Sequence, residues 1–486
     1  MKTVALMLLV VGLSLTHASR AAETSLAIVA QDGVTLLAQA RTSAPRHAIL
    51  WQGESLEVRG QVLDYLQVYD HRIERAGFVR ASQVRIVSLK PDAAPDLLAV
   101  VRFLRDLPGS ESLGIAYTAA YLRAAPTTAI GPEPFAALGT MAQRLAERAS
   151  ANTRKSSEER FSGQLEVAAE YGVTIKSIDR DGKMRLCYDG DAFRRVMALN
   201  ARDLDKAHAA LALTESECVD PKQTPIERAA YDTWRADLID RVAIGNLPTY
   251  MQNRLHMRAA SVWSAIVFEQ SRRNEPTHRA AQRAIAELTA VNAHELGDED
   301  RATYNNAAIR VGASRWAAEP PKPESKGLRI VTRPGQPGET CITLLDGKHD
   351  EKSPLARRCT YATVWANSAR INAHSTALAL AVQPMSSWRE LWLFRKNGSQ
   401  WTIDVVPPAY DDPQLGYIEF AGWVPGDKKM LAARETRVDG RFIRRFEILD
   451  MRSLAALKHA DQPSSLSGFY RWQDPTWKSQ TVSLRE

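Results

Sequence analysis

Behind Met1-Lys2 the chain runs from Val4 to Leu15 as an uninterrupted, largely apolar stretch, the length of a signal-peptide core and short of a membrane span. Small side chains follow at Thr16-His17-Ala18 and Ser19-Arg20-Ala21, so a signal peptidase can cut after Ala18 or after Ala21. We place the signal peptide at residues 1–21. No cysteine lies near the cut, which removes the acceptor a lipoprotein needs and predicts a mature chain that is periplasmic or secreted. Export to an oxidising compartment gives the four cysteines their expected chemistry, disulfide formation. Sequence proximity favours Cys187 with Cys218 and Cys341 with Cys359, and that pairing leaves no thiol to act as a nucleophile beside Arg357 and Arg358.

The charge balance excludes one class of partner. With 63 Lys and Arg against 56 Asp and Glu the formal charge is +7, and the signal peptide removes Lys2 and Arg20 from that surplus. Nucleic-acid binders concentrate far more basic charge on one face, so no nucleic acid is expected. No later segment is apolar enough to cross a bilayer, so the mature chain is expected to lack a transmembrane segment. At about 100 to 200 residues per domain the chain holds two to four domains.

Residues 30–90 alternate apolar and polar side chains in short runs separated by turn residues, the pattern of a small β-barrel. Within them stand Leu50-Trp51-Gln52-Gly53-Glu54-Ser55-Leu56-Glu57-Val58, then Asp64-Tyr65-Leu66-Gln67-Val68, then Gly77-Phe78-Val79-Arg80-Ala81-Ser82-Gln83-Val84. This order of an apolar strand, a Gly-Glu turn, an aromatic-led strand and a Gly-aromatic-Val close resembles the bacterial Src-homology-3-like family over residues 34–86. The resemblance implies a barrel that binds peptide or peptidoglycan.

Residues 91–318 read as a helical domain with one hairpin. Pro95 suits a helix start, and Leu97, Leu98, Val101 and Leu104 form a stripe that Pro108-Gly109 ends. The hairpin spans 174–187, where Asp181-Gly182 supplies a tight turn between two β-patterned runs. Glu319 to Lys326 is Pro-rich and charged, the composition of a stiff connector. From Gly327 to Glu486 strands are dense, at Ala377 to Val382, Glu390 to Phe394, Trp401 to Val406, Met430 to Ala433 and Phe442 to Leu449. There Gly422-Trp423-Val424-Pro425-Gly426-Asp427-Lys428-Lys429-Met430-Leu431, followed by Phe446-Glu447-Ile448-Leu449-Asp450, resembles one blade of the TolB-like propellers. A sandwich and a partial propeller both fit the region's size. The fold class is therefore multidomain α+β: a small N-terminal β-barrel, a helical middle domain with one β-hairpin, and a β-rich C-terminal domain.

Catalytic signatures are absent. The ten histidines never fall closer than His278 and His294, so none starts a local metal site, and no metal or cofactor is expected. Gly109-Ser110-Glu111-Ser112-Leu113-Gly114 has Ser where a nucleophile elbow requires Gly, and Asp179-Arg180-Asp181-Gly182 lacks the further ligands of a calcium loop. Two surfaces remain for binding. Trp51, Tyr65 and Tyr69 of the barrel are ligand-binding candidates, because aromatic grooves hold extended peptides and stack on sugars, although a small barrel also needs aromatics as core. Arg437, Arg441, Arg444 and Arg445, about an Asp439-Gly440 turn, are anion-binding candidates, because guanidinium groups grip phosphate and carboxylate in pairs of hydrogen bonds, while a solvated hairpin face is the plainer reading. Together these features predict a non-catalytic envelope adaptor that tethers to peptidoglycan or envelope proteins. The alternative is a secreted or wall-active hydrolase with a site assembled from distant residues.

Overall fold

The computed structural model describes residues 25–152, 154–180, 182–320, 327–409 and 415–480. The expected signal peptide, Asp181 of the expected hairpin turn and residues 321–326 of the expected connector lie outside them. The chain forms two compact units, one reaching Ser177 and including Leu186–Asp189, the other made of Ile178–Arg185 and everything from Gly190.

Seven strands open the first unit: β1 (Ser25–Val29), β2 (Val34–Leu37), β3 (Arg46–Leu50), β4 (Ser55–Val62), β5 (Tyr65–Asp70), β6 (Arg75–Arg80) and β7 (Val84–Val87). They pair antiparallel in the order β3-β2-β6-β5-β4-β1-β7. The path is open, for no ladder among the described residues joins β3 to β7, so the expected barrel is not closed by hydrogen bonds. Period-two alternation still turns one side of the whole sheet inward. Val29, Leu36, Leu50, Leu66, Val79 and Val84, drawn from strands along the full path, share one core.

Four helices follow in this unit, α1 (Ala94–Arg105), α2 (Glu111–Ala124), α3 (Glu133–Ser150) and α4 (Glu158–Glu170). Pro95 sits in the first turn of α1, and Leu97, Val101 and Leu104 are buried as their spacing predicts. Glu111 at the start of α2 is fully buried and receives Arg144 at 2.6 Å and Arg148, both from α3. α4 is keyed to the sheet. A Cβ at Gly163 would fall 2.3 Å from the Trp51 ring, so the missing side chain makes room for the indole. Gln164 Nε2 donates to Asp32 at 2.8 Å, and Tyr171 Oη donates to the Gly53 carbonyl at 2.8 Å. Gly53 holds φ +94°, and a Cβ there would stand 2.5 Å from the Ser112 carbonyl, so glycine is required twice over at the β3–β4 turn.

The hairpin of β8 (Ile175–Arg180) and β9 (Lys183–Tyr188) forms where the sequence places it, its residues divided between the units. The second unit continues with α5 (Asp191–Ala198), α6 (Asp203–Leu213), α7 (Pro225–Asp240), α8 (Thr249–Arg272), α9 (His278–Ala290) and α10 (Asp298–Ser314). Thr224 and Glu227 close a capping box around Pro225 at the start of α7. The long α8 is the hub: Leu255, Val262 and Ile266 pack with Ile239 of α7 and Ala281 of α9.

Strands β10 (Arg329–Pro334), β11 (Thr340–Leu345) and β12 (Ala356–Thr360) form a three-stranded sheet. Then β13 (Thr363–Ile371), β14 (Ala377–Met385), β15 (Trp388–Asn397), β16 (Gln400–Val406), β17 (Gly416–Trp423), β18 (Lys429–Val438), β19 (Arg441–Asp450) and β20 (Ala456–Ala460) form an eight-stranded one. Short helices α11 (Ser467–Trp472) and α12 (Pro475–Gln480) end the described chain. Ile342 and Leu344 of β11 share a core with Leu378 and Leu380 of β14 and Phe394 of β15, so the two sheets pack on one another. Cys341 and Cys359 face each other across the β11–β12 ladder and are bridged, Cα to Cα 3.9 Å. Cys187 and Cys218 are disulfide-bonded as well, and no cysteine is free.

α10 is bound to the eight-stranded sheet by charge as well as by packing. Glu419 of β17 accepts from Arg389 of β15 and from Arg315 just past α10, both at 2.9 Å, and its other oxygen accepts from the Trp477 indole at 2.8 Å. Arg389 also donates to the Gly312 carbonyl at 2.6 Å. Burial pushes Arg389 down to about 10 against the pull of Glu419, while Glu419, despite a burial that pushes it up, is held below the usual carboxylate range by Arg315 and Arg389. Gly312 brings the helix close, since a Cβ there would meet the Tyr417 ring at 2.5 Å.

Candidate ligand-binding site

The β18–β19 hairpin turns as its sequence directs. Asp439 at φ +49° and Gly440 at φ +76° are the two left-handed residues of a tight hairpin, and the register sets Arg437 opposite Phe442, Glu435 opposite Arg444 and Arg434 opposite Arg445. That alternation separates the four candidate arginines. Arg441 and Arg445 are exposed, and Arg445 lies beside Arg434, whose guanidinium is held by Glu447 at 2.7 Å. Arg437 is half-buried and reaches Asn306 of α10, Nη1 to Oδ1 3.5 Å. Arg444, also half-buried, lines a cavity.

This cavity, of about 330 Å³, has Asn305 and Ile309 of α10 on one side and Glu435, Thr436, Phe442 and Arg444 of the hairpin on the other. Its volume lies within the range of small-molecule sites. Glu435 is buried with both oxygens engaged, one accepting from Arg444 Nε at 2.7 Å and the other from Tyr417 Oη at 2.8 Å. A carboxylate so committed is a strut, not a free base. It fixes the Arg444 guanidinium through Nε, and the two terminal nitrogens have no hydrogen-bond partner among the described residues. They form a fork that matches the two oxygens of a carboxylate. Ile309 and Phe442 give the same cavity an apolar wall, and the exposed Asp461 adds a negative group at its border.

The three N-terminal aromatics have three different settings. Trp51 is half-buried against Gly163 of α4. Tyr65 is buried, its hydroxyl 3.2 Å from Thr42 Oγ1. Tyr69 is half-buried under the Arg59 guanidinium at 3.9 Å, with the His71 ring edge-on at 4.9 Å. Tyr69 and its neighbours thus keep an accessible polar-aromatic face on β5, while Trp51 and Tyr65 take part in packing.

No family model, curated protein or solved structure matches this chain. The site therefore has to be read from its own residues.

The sequence points to Arg444 but gives no role to Glu435, Asn305 or Tyr417. A buried strut looks like any other acidic residue in a strand. The available signal was the spacing: Glu435 and Arg437 share a face of β18 by period two.

Proposed function

We propose that the chain is an exported envelope protein that holds its ligand without transforming it, and that the cavity between α10 and the β18–β19 hairpin is where it does so. The observation that carries this reading is the Arg444 fork, fixed by a Glu435 that is itself fixed by Tyr417. A rigid guanidinium beside an apolar wall suits a carboxylate-bearing peptide, such as the peptide stems of cell wall or an acidic segment of an envelope partner. The signal peptide and the oxidised cysteines support the compartment, and the resemblance of residues 34–86 to the Src-homology-3-like family supports a second contact with the wall through the Tyr69 face.

The test is co-sedimentation of the mature chain with purified peptidoglycan sacculi. The wild type is expected to pellet, Arg444→Ala to retain roughly tenfold less, in line with loss of one bidentate charge-assisted contact, and Tyr69→Ala to lose a smaller share. Retention unchanged by Arg444→Ala removes the cavity from the reading. Release of soluble wall fragments over time would establish the hydrolase instead.

A further inference from the structure

The cavity between α10 and the β18–β19 hairpin holds a second ionised group that a carboxylate ligand leaves unused. Asp461 comes directly after β20, whose register sets Ala460 opposite Phe446, two residues beyond Arg444 on β19. It borders the same cavity as Arg444, is exposed, and makes no hydrogen bond or ion pair among the described residues. The acidic side chains of the hairpin strands behave differently. Glu435 holds Arg444 and Glu447 holds Arg434, each at 2.7 Å, so both are spent on arginines of the hairpin. Asp461 is not. Asn305 of α10, on the opposite side of the cavity, also has a side-chain amide with no partner among the described residues.

The two ionised groups with bonding capacity to spare have opposite sign, and that decides which ligands the cavity can take. A plain carboxylate gains the Arg444 fork but enters beside the like charge of Asp461, which repels it. A plain amine gains Asp461 and meets the guanidinium. Repulsion of this kind selects between ligands as effectively as attraction does. A molecule carrying both a carboxylate and an ammonium satisfies both groups, with the Asn305 amide able to donate to the first or accept from the second. Ile309 and Phe442 leave the rest of the wall apolar, which suits a hydrocarbon side chain, and about 330 Å³ stands at the small end of ligand cavities.

We propose that the cavity takes a small zwitterion, an amino acid or dipeptide with an apolar side chain, and that Asp461 is the residue that selects it by its ammonium. The inference rests on the carboxylate reading of the Arg444 fork and narrows it. An acidic segment of a partner brings negative charge alone, which Asp461 opposes, so the ligand is a small peptide or amino acid with a free amine.

The experiment is calorimetric titration of the mature chain at neutral pH with leucine, with isocaproate, which is leucine without its amine, and with isopentylamine, which is leucine without its carboxylate. Leucine is expected to bind, isocaproate to bind roughly fivefold more weakly, and isopentylamine to give no heat of binding. Glycyl-leucine binding more tightly than leucine assigns the dipeptide, and binding more weakly assigns the amino acid. Asp461→Asn is expected to make leucine and isocaproate bind alike, and Asp461→Lys to make isocaproate the tighter ligand, a reversal that a merely structural aspartate would not produce. Arg444→Ala is expected to weaken both ligands. Isocaproate binding the wild type as tightly as leucine, or a leucine preference that survives in Asp461→Asn, overturns the role of Asp461 and leaves the carboxylate reading standing, provided Arg444→Ala still weakens both. Binding untouched by Arg444→Ala removes both together. If neither leucine nor glycyl-leucine binds, the zwitterion is overturned, and the sacculus assay judges the carboxylate reading by itself.

Discussion

Glu419→Ala is expected to lower the stability of the second unit by about 3 to 5 kcal/mol, the cost of leaving enclosed charges without a counter-ion. Arg389 is wholly buried and Arg315 nearly so, 0% and 4% exposed, and both direct guanidinium nitrogens at the same carboxylate oxygen. Removing the carboxylate also strips the Trp477 indole of its acceptor. Glu419→Gln restores that acceptor but not the charge, so its loss should fall between wild type and alanine. Urea unfolding followed by tryptophan fluorescence measures both, because Trp477 and Trp316 sit at the affected contact. A Glu419→Ala protein within about 1 kcal/mol of wild type would mean that the two arginines relax to water, and the clamp on α10 would have to be abandoned. The complementary measurement replaces all three residues by apolar ones of similar size, which should recover most of the loss.

The second large effect is a dependence on pH that resides in the first unit. Burial raises Glu54 to about 7, against the Trp51 amide and Arg72 that favour its charged form, with Asp70 and Glu170 adding to the rise. Glu54 is 2% exposed, and its Oε2 has no partner. The carboxyl binds its proton more tightly in the folded state than in the unfolded one. Its contribution to stability is therefore complete below about pH 4.5, falls as the pH rises, and is gone above about 7, a span equivalent to roughly 3 kcal/mol. Burial pushes Glu111 and Glu287 up, yet Glu111 is held below the ordinary range by the Gly109 amide and by Arg144 and Arg148, and Glu287 by His256 and Arg283, so both act in the other direction and lose their contribution on acidification. The difference between wild type and Glu54→Gln isolates the group. The variant should match wild type near pH 4.5 and exceed it by roughly 3 kcal/mol at pH 8. Hydrogen exchange over β4, β5 and α4 reads the first unit alone, and a difference independent of pH would refute the assignment.

Much of the architecture was legible because it rests on local signals. The apolar, strand-forming runs in β14, β15, β18 and β19, the Asp439-Gly440 turn and the Pro95 helix start each depend on a few neighbouring residues, and each lies where its pattern points. α10 was harder to read, because Ala307 through Ser314 is buried almost without interruption and so shows little of the one-sided stripe that marks a helix on a surface. The charged groups were hidden for another reason. Glu419 and Arg315 are 104 positions apart, and Glu54 is buried by packing that brings in Glu170 and Tyr171 from beyond three helices. Nothing in the local sequence of Glu54 separates it from any Gly-Glu turn.

The glycine at 312 has a consequence for the Arg444 cavity. Sliding the helix by one residue along the sheet would bring Val311 or Ala313 under the Tyr417 ring, where a side chain has 2.5 Å of room. The helix is thereby indexed to the strands at a single setting. Asn305 and Ile309 then necessarily look onto the Arg444 cavity while Asn306, on the adjoining face a third of a turn away, meets Arg437. A ligand in that cavity would press on a rod whose freedom to shift has been removed.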